Sequence, residues 1–175
     1  LSLVFREGYA ATQGPDLTRP DLSAEAIRLG QQLLALMPDE PEVRGLLALM
    51  LLTDSRREAR TALDGAAVRL ADQDRRRWDR RLIAEGLTLV RDCLRFDRPG
   101  TFQVQAAIAA IHAEAPTVGT TDWPRIVGLY DLLRHLEPGP VVELNRAVAV
   151  AEVDGPAAAL ALVDAAPMPE WHLHH

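Results

Sequence analysis

The chain has no lysine: all 19 of its basic residues are arginine. With the abundance of alanine, this points to the codon choice of a GC-rich bacterial genome and says nothing about fold. Serine is confined to Ser2, Ser23 and Ser55, and Cys93 is the one cysteine. A single cysteine excludes an internal disulfide framework and fits a reducing cytoplasm. A serine or cysteine nucleophile would need one of these four residues beside His112 or His135, and no spacing brings them together. There is no Gly-rich phosphate loop, no G-x-S-x-G, no H-E-x-x-H and no C-x-x-C. Catalysis, a cofactor and a metal are therefore not expected. No apolar run of about 18 residues, signal peptide or lipidation motif is visible, so the expectation is a cytoplasmic chain that makes no use of a membrane. The net charge of −6 argues against binding nucleic acid over the whole surface.

Aromatics make up 5% of the chain and hydrophobic residues 48%, mostly alanine and leucine, the mixture that helix-on-helix packing prefers. The stretch from Glu25 to Val43 carries a specific pattern. Small residues at Ala26 and Gly30, a larger one at Leu33 and then Pro38 match the second helix of a tetratricopeptide-type hairpin. The same pattern returns as Ile126, Tyr130, Leu133 and Pro138, about three 34-residue repeats later. The match after Val141 is partial, and the middle fits no regular period. The chain reads as one all-α domain over residues 1–175, a degenerate tetratricopeptide-like array of eight or nine helices. Such arrays present grooves, which favours a binding or regulatory module over an enzyme.

Along the chain, Leu1 to Thr12 reads as the end of a helix, and Gln13 to Pro20 as a turn cluster. Asp21 and Ser23 are candidate caps for a helix ending at Met37. Pro41 suits the first position of a helix through about Leu52. The helical period fails between Arg56 and Arg75. There, Asp64-Gly65 between short apolar runs suggests a small hairpin-like insertion around residues 60–72. One long helix is expected from about Asp74 to Phe96, stopped by Pro99-Gly100. Helices follow at Thr101–Ala115, from Trp123 with Asp122 as its cap, at Val141–Val153 and at Pro156–Ala165. The last two are hinged at Asp154-Gly155.

Many short motifs in order resemble one family. They are Phe5-Arg-Glu-Gly-Tyr-Ala-Ala11, Glu25-Ala-Ile-Arg-Leu29, the run from Glu40 to Arg57, Asp72-Gln-Asp-Arg75 with Trp78-Asp79, and Gln105 to Ala113. Asp122-Trp123, Leu129-Tyr-Asp131 and Val141 to Ala149 complete the set. Together they resemble the C-terminal, tetratricopeptide-like extension of a subgroup of bacterial extracytoplasmic-function (ECF) RNA polymerase sigma factors. The resemblance implies a fragment of a longer chain from which sigma regions two and four are absent. It also implies a non-catalytic regulatory domain that modulates transcription initiation. Its partners would be its own sigma regions or the polymerase core, with DNA reached only through the missing regions. A homodimer stays open.

Asn145 and Arg146 lie among apolar residues on what would be a first, groove-lining helix, where an Asn commonly binds peptide backbone in repeats of this type. Gln103, Gln105 and Glu42 are candidates for comparable positions. The alternative for Asn145 is a hydrogen bond to a neighbouring helix end. From Arg56 to Arg81 there are nine arginines and five acidic residues. The densest part, Arg75, Arg76, Arg77, Arg80 and Arg81, reads either as a docking patch or as a solvated helix with i,i+4 ion pairs. A protein partner fits that patch better than DNA, because only Trp78 offers a stacking surface. His112, Trp123 and Tyr130 would line a pocket if the domain sensed a small molecule, and a stand-alone peptide-binding scaffold is a further alternative. His112 on an Ala/Ile-rich helix otherwise reads as a buried, hydrogen-bonded histidine, and Trp78, Trp123 and Tyr130 as helix-packing residues. Glu7, Tyr9 and Asp72-Gln73-Asp74-Arg75 have the pattern of an internal polar network. His172, His174 and His175 could bind a metal, but they read better as a tail than as a metal site.

Overall fold

The computed structural model describes residues 2–9, 20–62 and 65–165. Among these it is all-α, with eight α-helices and no β-strand. In chain order they are α1 (Ser2–Tyr9), α2 (Pro20–Leu36), α3 (Pro41–Asp54), α4 (Arg80–Cys93), α5 (Thr101–Glu114), α6 (Trp123–Leu136), α7 (Pro140–Asp154) and α8 (Pro156–Ala165). They fall into two compact units, residues 1–120 and 121–175.

The first unit is built round α3. Its run Leu46-Leu-Ala-Leu-Met-Leu-Leu52 is apolar on every side, which suits a helix that is covered on every side. Leu47, Ala48, Met50, Leu51 and Leu52 are all at most 2% exposed. Helices α2, α4 and α5 each pack on it. One cluster joins Phe5, Ala26, Leu47, Met50, Leu51, Leu89 and Ala106, and a second joins Leu52, Ala59, Trp78, Ile83, Ala110 and Ala113. Glycines allow the approach, and a Cβ at Gly30 of the repeat pattern would sit 2.7 Å from Met50 Cε. A Cβ at Gly45 on α3 would sit 2.6 Å from the backbone nitrogen of Gln103 on α5. In the second unit α6 packs on α7 and α7 on α8. The Arg146 guanidinium donates to Asp131 at 2.7 Å and Arg134 pairs with Glu143 at 3.2 Å, so two ion pairs tie α6 to α7.

Several boundaries differ from the expected ones. Helix α2 starts at Pro20, so Asp21 and Ser23 lie in its first turn and not at its cap. Ser23 is almost wholly buried there. A proline is well placed at the first helical position, because its missing N–H has no partner to lose. The expected helix from Asp74 is broken at Trp78, whose ψ of 134° is extended. Arg75–Arg77 form one 3₁₀ turn, and Asp79 caps a new helix by accepting from the amides of Arg81 and Leu82. The arginine-dense stretch is therefore not one helical face. The insertion is a hairpin only in outline: among the described residues a single antiparallel bridge joins Thr61 to Ala67, and Gly65 turns with φ +84°. Pro41, Asp122 and the Gly155 hinge stand where the sequence puts them.

Two glycines make opposite predictions. Gly45→Ala forces a Cβ against the α5 backbone and should cost about 1–3 kcal/mol by overpacking. Gly128→Ala on α6 meets nothing within 4 Å and should stabilise by roughly 0.5–1 kcal/mol through helix propensity. Denaturant unfolding of both variants checks the pair; equal effects would refute the close α3–α5 approach.

Candidate functional site

The N-terminus of α5 follows Gly100, which has no side chain to cap it. The first amides of a helix need a partner, and an acidic group there also complements the helix dipole. Glu42 of α3 supplies both. Its carboxylate accepts from the amides of Phe102 at 3.1 Å and Gln103 at 3.2 Å, and from the Gln103 side chain at 3.1 Å. A Cβ at residue 100 would collide with that carboxylate, which accounts for the glycine. At the other end, Arg75 Nη1 donates to the carbonyls of His112 at 2.6 Å and Ala115 at 2.8 Å. A cation there complements the negative end of the dipole. Helix α5 is thus clamped by an acid and a base from outside it.

This arrangement sorts the candidate residues. Glu42, Gln103 and Arg75 hold the first unit together. Gln103 is 9% exposed, and its amide also donates to the carbonyl of Arg98 at 2.8 Å. Gln105 is different. It lines a cavity of about 160 Å³ with Ser2 and Phe5 of α1 and Leu46, Leu49, Met50 and Thr53 of α3. That volume is below the roughly 300–1,000 Å³ of drug-sized ligand sites. Gln105 and His112 belong to the first unit, and Asn145, Arg146, Trp123 and Tyr130 to the second. Asn145 is exposed on α7, while Arg146 is held by Asp131.

The arginine stretch divides as well. Arg76 is exposed and bound to Asp74 at 3.0 Å, and Arg81 stands 3.8 Å from Glu85. Those hydrogen bonds from Arg76 hold the Asp74 carboxyl below its usual range. Arg77 and Arg80 are exposed. Arg75 lies over the buried Trp78 ring at 4.5 Å and Arg56 at 5.9 Å. Of the expected polar network, Gln73 and Arg75 point inward, Asp72 pairs with Arg69 at the surface, and the side chains of Glu7 and Tyr9 lie outside the described residues. The terminal histidines lie outside them too. Among the described residues no three His, Cys, Asp or Glu side chains gather as a metal site would need. Cys93 is buried against the carbonyl of Pro41, and burial pushes its thiol up to about 11, which leaves it a poor nucleophile.

Burial, then the charges of Arg56 and Arg75, lower His112 to about 4. Sequence reading missed the roles of Glu42, Arg75 and Asp131. The signal for the first was a helix start at Gly100 with no Ser, Thr, Asp or Asn, which obliges a cap from elsewhere.

The fold and these contacts define an all-α protein. No helix among the described residues is long and apolar enough to cross a membrane. The chain belongs to the family of unknown function DUF6596, whose sequence profile matches residues 1–94. It is 54% identical over 162 residues to Uncharacterized protein R00370 of Rhizobium meliloti (strain 1021), an alignment that covers 93% of this chain and 38% of that protein. The chain thus spans well under half the length of that relative. No solved structure matches it.

Two measurements test the clamp and its surroundings. Glu42→Ala removes the α5 cap and should cost about 0.5–2 kcal/mol, read by denaturant unfolding; a change within error would remove the cap from the account. His112 binds its proton more weakly folded, at about 4, than at its ordinary 6.5. Between those values the unfolded chain carries the extra proton, so stability falls as pH drops from 6.5 to 4. The loss is at most roughly 3 kcal/mol. His112→Gln should flatten that part of the pH–stability curve, and an unchanged slope would assign it to other groups.

Proposed function

We propose that this chain is a non-catalytic, cytoplasmic regulatory domain that works by protein–protein contact. In the full-length protein it would modulate transcription initiation by an ECF sigma factor. The support for the sigma-factor part is the ordered set of motifs from Phe5 to Ala149 that resembles the extension of those factors. The chain's coverage of only 38% of its rhizobial relative leaves room for such regions in a longer protein.

The structural observation that carries the contact reading is the outer face of α7. Val141 is 67% exposed and Val148 61%, with Leu144 beside them and the exposed Asn145 amide among them. A patch of apolar side chains with an interspersed hydrogen-bonding group is the make-up of a protein interface core. The surface to be held would belong to the sigma regions of the same chain or to the polymerase core.

The test is made in the full-length protein. Val148→Asp and Asn145→Ala lie on the exposed face, so helix content and melting temperature should stay within error while sigma-dependent transcription changes severalfold. Arg146→Ala is a less clean probe, because it also breaks the α6–α7 ion pair. Unaltered transcription with both exposed variants would remove α7 from the mechanism.

A further inference from the structure

Three arginines meet near Trp78, and among the described residues no carboxylate pairs with any of them. Arg56 follows the end of α3, Arg75 lies in the 3₁₀ turn, and Arg80 opens α4. The chain brings them together because the Asp79 amide donates to the Ser55 carbonyl at 2.8 Å, which closes the end of α3 on the start of α4. The guanidinium carbons of Arg75 and Arg56 lie 4.5 and 5.9 Å from the centre of the same indole ring. Arg80 reaches back to within 3.4 Å of the Arg75 carbonyl.

Three of the acids close by in sequence are engaged elsewhere. Asp54 takes Arg57, with Nε at 3.0 Å; Asp74 takes Arg76 at 3.0 Å; Asp79 is turned to the amides of its own helix at 2.9 and 3.1 Å. Among the described residues, none of Arg56, Arg75 and Arg80 forms an ion pair. The α5 carbonyls offset the charge of Arg75 in part, and Arg80 has only the long contact to the Arg75 carbonyl. The field is felt on the spot: after burial, Arg56 and Arg80 lower the proton affinity of Arg75, and Arg56 and Arg75 lower that of His112. Like charges held together in an acidic protein are destabilising unless an anion joins them.

We propose that Arg56, Arg75 and Arg80 form an oxyanion site that takes a phosphate dianion. Three guanidinium groups call for more charge than one carboxylate carries, and their planar forks match phosphate oxygens. Trp78 is 3% exposed and cannot stack a base, so the phosphoryl group itself is what the site recognises. The net charge of −6 repels a long polyanion, which favours free phosphate or a small phosphorylated molecule over nucleic acid.

The experiment is titration of the chain with inorganic phosphate at constant ionic strength, followed by calorimetry and by ³¹P line broadening. Saturable one-to-one binding is expected. Arg56→Gln and Arg80→Gln should each weaken it about tenfold or more, the loss of one charge-assisted contact. Neither residue donates to α5 itself, so circular dichroism should show the variants folded, and Arg125→Gln on α6 should bind as the parent does. A parallel titration with duplex DNA at equal phosphate concentration should show no competition. Absence of saturable phosphate binding, or equal binding by the Arg56 and Arg80 variants, overturns the site. Strong competition by DNA overturns the small-molecule assignment.

Discussion

Helix α5 is apolar enough to be buried along much of its length, and a buried helix carries two ends that cannot be left to water. Glu42 meets the positive end and Arg75 the negative end, so charges on separate elements answer one dipole. The rest of the first unit follows from holding those two groups in place. Glu42 needs α3 close to α5, which Gly45 permits. Arg75 needs a rigid platform, which the buried Trp78 ring and the capped start of α4 provide. The short 3₁₀ turns between α3 and α4 give the guanidinium a direction that a continuous helix would have sent elsewhere.

How much of this could be read from the chain varies with the range of the interaction. The pattern Ala26, Gly30, Leu33, Pro38, the first-position Pro41 and the cap at Asp122 are local, and they placed most of the helices. Trp78 was read as a packing residue and is one, but the helix expected through it is broken. The cause is that Asp79 caps the next helix, a choice that the arginine run disguised. Glu42 and Gln103 were read as groove residues because they are polar among apolar neighbours. Polarity in that setting has two meanings, contact with a partner or service to a distant helix end, and sequence spacing does not separate them. Asn145 keeps an exposed amide, whereas Arg146 beside it is held by Asp131, fifteen residues earlier.

The two units contribute differently to the functional reading. In the first, the polar residues are largely occupied by the fold, and what stands open is cationic. In the second, α7 turns apolar side chains outward and α8 has no buried residue at all among its described positions. A domain that regulates by contact needs surface of this second kind, and one that also responds to a small anion could use the first. Membership of DUF6596 covers the first unit through α4, which is where the arginine cluster is assembled.

The clamp on α5 has a kinetic side. The groups that close its two ends lie 60 and 40 positions away along the chain. Most helices complete themselves from neighbouring residues, and proteins dominated by such local contacts fold fast. Here the chain must first bring in α3 from one side and the 3₁₀ turn from the other before α5 is fully satisfied. The folding of this all-helical unit is therefore expected to be tied to loop closure in a way more familiar from sheets, with α5 an element that matures late.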